Sequence, residues 1–155
     1  MKTSLRHTMD LMSRVVQRMA AIENSPRDFG TGDLLFRAEI HTVEAIGRIP
    51  GVGITELAGM LGVTKGAVSQ MVKKLVQKGL VRRTLDPANA RLVCLILTPT
   101  GRVARDGHEA FHHRMEQVVR DGFPDDIDAV NERFRTVFNE LDRILDDMIT
   151  VGLSA

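Results

Sequence analysis

Apolar residues recur along most of this chain at spacings of three and four, the pattern of helices with one buried stripe. Leu5, Met9, Met12, Val16, Met19 and Ile22 mark a first helix over 4–24, and Pro26 in ENSPRDFGTGD ends it. A second helix is expected from Leu34 to about Arg48, capped by Asp33, with Leu35, Ala38, Val43 and Ile46 mostly inward. IPGVG then breaks the chain. Residues 54–80, ITELAGMLGVTKGAVSQMVKKLVQKGL, read as two short helices joined by a tight turn. The first is Thr55–Leu61, with Thr55 as N-cap and Gly62 just past its end; the second opens at the N-cap Thr64 and runs to about Lys78, where Gly79 stops it. Val68, Met71, Val72 and Leu75 form its buried face. The opposite face carries Lys65, Gly66, Ser69, Gln70, Lys73, Lys74 and Gln77, and no acid. Cations and hydrogen-bonding groups on one helix face suit a DNA major groove.

The period changes after Gly79. LVRRTLDPANARLVCLILT predicts a β-hairpin, Leu80–Leu85 out and Arg91–Thr98 back, with Asp-Pro starting the turn and Asn89 able to take a left-handed conformation. The return strand LVCLIL is apolar on both faces and is expected to be covered. A hairpin directly after such a helix is a wing. Helical spacing resumes over 100–121, capped by Thr98 with Pro99 in the first turn, and Val103, Ala104, Phe111, Met115, Val118 and Val119 inward. Phe123-Pro124 breaks it. The last helix, about 125–151, repeats in heptads: Ile127, Phe134, Leu141 and Met148 at one position, Val130, Val137, Ile144 and Val151 three residues later, with Phe138 and Leu145 widening the stripe. A sustained heptad packs along another helix. The two ends of the chain are therefore assigned to a dimer interface, with an intramolecular bundle as the alternative. The fold expected is mainly α with a small β-hairpin wing: a winged helix-turn-helix domain over 34–97 and a helical dimerisation region over 1–33 and 98–155.

Charge sharpens this division. The net charge of +1 splits into seven cations against two acids over 54–91 and three cations against nine acids over 121–155. Phosphate would attract the first segment and repel the second. A chance split of solvated surface charge is the plainer alternative. The scarcity of aromatics (six Phe, no Trp, no Tyr) argues against a stacking platform for single strands. A single cysteine excludes an intrachain disulfide and fits a reducing cytoplasm. No apolar run approaches a membrane span, and the N-terminus MKTSLRHTMDLMSRVV has no apolar core of a signal peptide.

The order of elements, with TELAGMLGVTKGAVSQMVKKLVQKGLVRR, a wing ending ARLVCLILT and PTGR opening a long helix, resembles the MarR family of winged helix-turn-helix regulators. The resemblance covers nearly the whole chain and is most specific over 54–101. It implies a dimer built from N- and C-terminal helices, with each recognition helix in a major groove of double-stranded DNA and each wing tip near a minor groove. By resemblance, Thr64, Lys65, Ser69, Gln70 and Lys73 face bases or nearby phosphates, joined by Gly66 and Lys74 on the same face. Arg82, Arg83 and Arg91 sit on or beneath the wing. The tip departs from the family pattern: Asn89 stands where an acid is usual and Ala90 where a cation is usual. That puts minor-groove insertion in question and leaves phosphate contact as the wing's role.

His108 and His112 are one helical turn apart and can share a ligand. The zinc-sensing subgroup of MarR regulators is similar here. The resemblance implies a Zn²⁺ ion held by Glu23, His41, His108 and His112; by spacing alone Glu116, which continues the row of His108 and His112, is a substitute for Glu23. A second site of that subgroup does not carry over, since Phe29, Ile40 and Gly107 are not ligands. Polar surface or helix-packing histidines are the alternative. His113 pairs with Glu109 on a neighbouring face, and His7 has no identified partner. Cys94 lies in an apolar strand and reads as an inert buried thiol before a redox sensor. The methionines read as packing first and as an adaptable ligand pocket second.

The expected function is a homodimeric, sequence-specific DNA-binding repressor acting on a pseudo-palindromic operator, with zinc as regulatory ligand and no catalytic residues. The runner-up keeps the DNA-binding dimer but replaces the metal by a small organic effector in the Met-lined cleft. Two further classes stay open: a metal-dependent enzyme, disfavoured because four protein ligands leave no open position, and an interaction module that uses its winged helix without DNA.

Overall fold

The computed structural model describes residues 4–85, 92–123 and 126–152. In chain order the elements are α1 (Leu5–Asn24), β1 (Arg27–Asp28), β2 (Leu34–Leu35), α2 (Arg37–Arg48), α3 (Ile54–Leu61), α4 (Lys65–Gln77), β3 (Val81–Leu85), β4 (Val93–Leu97), α5 (Pro99–Gly122) and α6 (Ile127–Thr150). The mainly helical fold with a two-stranded wing is the one the sequence pattern predicts. Pro87 to Asn89 at the wing tip, with Ala90 and Arg91, and the break at Pro124, lie outside the described residues.

The chain divides into two compact units, Met1–Phe111 and His112–Ala155, with α5 running through the division. The core of the first unit lies between α2, α3, α4 and the hairpin. Leu57, Leu75, Leu80 and Leu95 are fully buried there with Val43, Ile46, Val68 and Val72; each such side chain contributes roughly 1.5–3 kcal/mol by leaving water. The buried stripe expected on α4 is present, with Met71 half-buried at its edge. β3 and β4 pair antiparallel from Val81↔Leu97 to Leu85↔Val93. The expected cover over the return strand holds for Cys94, Leu95 and Leu97, whereas Leu92 and Val93 are exposed near the wing tip. Gly51 N–H donates to the Leu95 carbonyl at 2.9 Å and Leu95 N–H to the Val52 carbonyl at 3.0 Å, so the α2–α3 connection serves as a second partner for β4, beside β3.

Two capping residues behave as their positions predict. Thr64 Oγ1 accepts from Ala67 N–H at 3.2 Å, and Gly79 closes the helix with φ +68°. Thr98 Oγ1 accepts from Gly101 N–H at 3.0 Å and donates to the Gly79 carbonyl at 2.6 Å, tying the end of α4 to the start of α5. Gly101 makes that junction possible, because a Cβ there would stand 1.9 Å from the Leu80 carbonyl oxygen.

The second helix begins later than expected. Leu34 and Leu35 pair with Asp28 and Arg27 in a short hairpin, and Asp33 caps nothing. The Asp28 carboxylate accepts from Gly30, Thr31 and Gly32 N–H at 2.8, 2.8 and 3.1 Å, which shapes the turn and fixes the pairing. α2 then starts after Phe36, whose N–H donates to the Glu39 carboxylate at 2.9 Å. Ala38 is exposed rather than inward. The third helix starts one residue early on Gly53, and Thr55 is not its cap. On the α5 stripe Ala104 is buried and Phe111 half-buried, but Val103 is 47% exposed.

α1 has no buried side chain, and Leu5, Met9, Val16 and Met19 are more than half exposed. In the second unit, α6 likewise has none: Phe134, Val137, Phe138 and Leu145 are about half exposed along its heptad stripe. Its polar side is tied internally by Arg135–Glu132, Arg143–Glu140 and Arg143–Asp147 pairs at 2.6–3.0 Å. The Arg143 guanidinium holds the Glu140 carboxyl below its usual range, by hydrogen bond first and charge second.

Candidate nucleic-acid interface and effector residues

α4 presents its polar face outward. Lys65, Gly66, Ser69, Gln70, Lys73, Lys74 and Gln77 are all exposed, and the helix contains no acid. The Thr64 oxygen is used as the cap, which leaves its hydroxyl proton free to donate. At the helix N-terminus the backbone dipole adds partial positive charge to Lys65. Arg82 and Arg83 are exposed on β3, opposite Ile96 and Leu95 in register. Alternation along a strand sends neighbouring side chains to opposite faces, so these two arginines do not form one patch. Arg91 lies outside the described residues.

Lys78 changes the charge count. Its ammonium lies 2.9 Å from the Glu39 carboxylate and donates to the Leu34 carbonyl at 3.0 Å. Glu39 is 5% exposed. Lys78 is thus an internal clamp between the end of α4 and the start of α2, not a free cation for phosphate. Sequence pattern counted its charge but gave no sign of its partner, which is 39 residues away.

The histidines proposed as metal ligands are partly assembled. His41 on α2 and His108 on α5 face each other with ring centres 5.4 Å apart, and His108 is 5% exposed. Two imidazoles sharing a tetrahedral ion at about 2.0–2.1 Å would put their ring centres roughly 5 Å apart. Glu23 is engaged elsewhere: its carboxylate meets Arg37 Nη2 at 3.0 Å. Glu44 is an acid beside His108, 3.7 Å from Nδ1. Sequence reasoning missed Glu44, although it stands about one turn after His41 and shares its face. Phe29 closes the other side of His108 with an edge-to-face contact at 5.3 Å. His112 belongs to the second unit and is exposed. Among the described residues, no set of three or more His, Cys, Asp or Glu is placed to hold a metal ion. Within the first unit, Glu23, His41 and His108 do not form a three-ligand set. Cys94 is buried, in line with an inert thiol.

No helix among the described residues is long and apolar enough to cross a membrane.

Residues 35–93 match the model of the MarR family. The chain is 30% identical over 90 residues to the uncharacterized HTH-type transcriptional regulator YhjH of Bacillus subtilis, covering 58% of this chain and 51% of that protein. It is 34% identical over 89 residues to the HTH-type transcriptional regulator PetP of Rhodobacter capsulatus, covering 57% and 54%. The chain thus spans about half the length of these curated relatives. Among solved structures, Streptococcus pneumoniae FabT in complex with DNA superposes with a TM-score of 0.71 at 26% identity, covering 94% of this chain and 99% of that one. The zinc-responsive MarR family member ZitR of Lactococcus lactis superposes at 0.65 with 20% identity, covering 88% and 98%; at that identity the likeness is one of fold.

Proposed function

We propose, from the premise that this chain belongs to the MarR family of winged helix-turn-helix proteins, that it is a cytoplasmic homodimeric transcriptional regulator, not an enzyme, that binds double-stranded DNA. The observation that carries the reading is the outward face of α4: three lysines, Ser69 and Gln70 exposed on a capped helix without an acid. Gln70 and Ser69 supply base-edge hydrogen bonds, and Lys65, Lys73 and Lys74 supply phosphate or guanine contacts. Arg82 and Arg83, with Arg91, add phosphate contacts from the wing. Residues 34–97 are the reading domain. Residues 1–33 and 98–155 are the dimerisation region, a reading supported by the exposed apolar stripes of α1 and of α6, each without a buried side chain. Two-fold pairing would set half-sites about one helical turn apart, and repression is the expected outcome of occupying such an operator.

The test is selection of a binding sequence from randomised duplexes, then affinity titration over a range of salt. A palindromic consensus is expected, with Lys65→Ala, Gln70→Ala and Lys73→Ala together abolishing selectivity. Lys73→Ala alone should flatten the slope of log affinity against log salt by roughly one for the phosphate it no longer neutralises, whereas Lys78 does not contribute to it. Binding that survives the triple substitution would overturn the reading.

Zinc as the effector is a second reading, supported by the spacing of His41 and His108. It requires the Glu23 carboxylate to leave Arg37 for the histidine pair, with His112 as the fourth ligand that the resemblance implies. Metal content of the purified protein and operator affinity with and without chelator test it. Unchanged affinity, in the parent protein and in His108→Ala and His112→Ala, would remove the metal.

A further inference from the structure

The first turn of α4 carries a glycine that the folded chain does not need. Glycine is the poorest helix former after proline, so Gly66 weakens the helix it belongs to. Other helical glycines answer to a close neighbour. A Cβ on Gly47 would stand 2.9 Å from Arg105 Cδ, and one on Gly107 would stand 2.2 Å from the Phe29 carbonyl oxygen. Neither crowding nor backbone conformation explains Gly66. Its φ is not positive. Outside the helix backbone, the nearest atom to a Cβ there would be Thr64 Oγ1 at 3.9 Å, an ordinary contact.

Its position points to the outside of the molecule. Gly66, Gln70, Lys73 and Gln77 follow one another at intervals of four, three and four, and all are exposed. They form the ridge opposite the buried Val68, Val72 and Leu75. Gly66 is the N-terminal member of that ridge, at the end that a DNA-reading helix turns to base edges. The Cα atoms of a helix lie about 2.3 Å from its axis, and only where the side chain is missing can that cylinder rest on another surface.

We propose that Gly66 is a close-approach residue, whose missing side chain lets the main chain of α4 rest against DNA in the major groove. It thereby sets the depth at which Ser69 and Gln70 reach base edges. The inference deepens the regulator reading and rests on it. A methyl at this position holds the first turn off the groove, and hydrogen bonds to bases tolerate little lengthening. Lys65, Lys73 and Lys74 have long flexible stems and still reach phosphate. One substitution therefore strengthens the fold and weakens recognition.

The experiment compares Gly66→Ala, Gly66→Lys and Gly59→Ala with the parent, each as the full chain. Thermal melts at one protein concentration are paired with titrations of the selected operator and of a scrambled duplex over a range of salt. Gly59 is the control. It is exposed on α3, a Cβ there would meet nothing within 4 Å, and it lies three residues from Glu56, an acid that phosphate repels. Both alanine variants should melt about 1–4 °C higher than the parent. Gly66→Ala should bind the operator about tenfold more weakly, the worth of one good base contact. It should bind the scrambled duplex within about twofold of the parent, since phosphate contacts carry that binding. Gly59→Ala should change neither affinity. Gly66→Lys separates reach from charge. Its added cation should tighten the scrambled duplex and steepen the salt slope by about one, while the ratio of operator to scrambled affinity falls about tenfold. Parent-like operator affinity in Gly66→Ala would overturn the proposal, as would an unchanged ratio in Gly66→Lys. A lower melting temperature for Gly66→Ala would give the glycine a structural role and overturn it too. A parent that selects no sequence from randomised duplexes would remove the regulator reading and this inference with it. A parent that selects one, bound equally well by Gly66→Ala, would remove this inference alone.

Discussion

Glu39→Ala tests the clamp between α2 and the end of α4. The substitution removes two things at once. The Phe36 N–H loses its acceptor at 2.9 Å, and the Lys78 ammonium loses a carboxylate at 2.9 Å. Leaving a part-buried amide unsatisfied costs about 1–3 kcal/mol. The lysine side of the pair is 28% exposed, so its ammonium recovers water and that half contributes only about 1 kcal/mol. The expected loss is about 2–4 kcal/mol, or roughly 5–15 °C in melting temperature for a chain of this length. Lys78→Met is expected to cost more, about 3–5 kcal/mol, because it strands a carboxylate whose side chain is 6% exposed. Glu39→Gln keeps an acceptor for Phe36 and should cost the least. The double variant Glu39→Met with Lys78→Met is the decisive one. It removes the stranded charge and should be more stable than Lys78→Met alone. Urea and thermal unfolding at one fixed protein concentration measure all four, since an oligomer's apparent stability varies with concentration. A double variant no more stable than Lys78→Met would refute the reasoning, as would Glu39→Ala within about 0.5 kcal/mol of the parent.

Gly101→Ala forces a methyl to within 1.9 Å of the Leu80 carbonyl oxygen and should cost about 3 kcal/mol or more by thermal melt. Gly59→Ala, on α3 with nothing within 4 Å of its Cβ, should instead stabilise by about 0.5–1 kcal/mol; equal effects would mean that close approach is not what fixes Gly101. Thr64→Ala removes the cap on Ala67 N–H and should cost about 1 kcal/mol, with Thr64→Ser restoring most of it. The Asp28 carboxyl is held below its usual range, first by the Thr31 N–H and then by those of Gly32 and Gly30, against some desolvation. A lowered folded value means that its contribution is full above the unfolded value and is lost as pH falls through the folded one. Amide shifts of Gly30, Thr31 and Gly32 should therefore hold steady through the ordinary carboxylate range and move together below it, and Asp28→Asn should place them near their acid positions at neutral pH. Independent movement of the three would contradict a shared acceptor.

Local chemistry and periodicity made the helices legible, and long-range pairing hid the rest. Thr64, Thr98, Gly62 and Gly79 act within a few residues of themselves, so their roles could be read from the chain. The α4 faces followed from spacing alone. The start of α2 did not, because Leu34 and Leu35 fit a helical stripe as well as a strand. Their state is decided by pairing with Arg27 and Asp28 across a turn that Asp28 organises. Lys78 entered the sequence reading only as one of seven cations over 54–91, because charge counting cannot see Glu39 fold against it. The candidate effector residues divided the same way. His41 and His108 come together, but Glu44 stands beside His108, and Glu23 is drawn off by Arg37. The sequence pattern placed Arg37 within a helix and could not assign it a partner on the helix before.

These placements make α2 the element that ties α4 to its neighbours. Its residues face three neighbours in turn. Arg37 meets the end of α1, Glu39 holds the end of α4, and His41 and Glu44 face α5. Val43 and Ile46, between these, are fully buried in the core shared with α3 and α4. A close-packed helix cannot bend to suit one neighbour without shifting against the others. A metal ion held at His41, as in the zinc reading, therefore reaches α4 through the Glu39–Lys78 clamp as well as through the core. Loss of the clamp should leave metal binding intact while weakening its effect on operator affinity, a separation that a ligand acting directly on the DNA-contacting side chains would not produce.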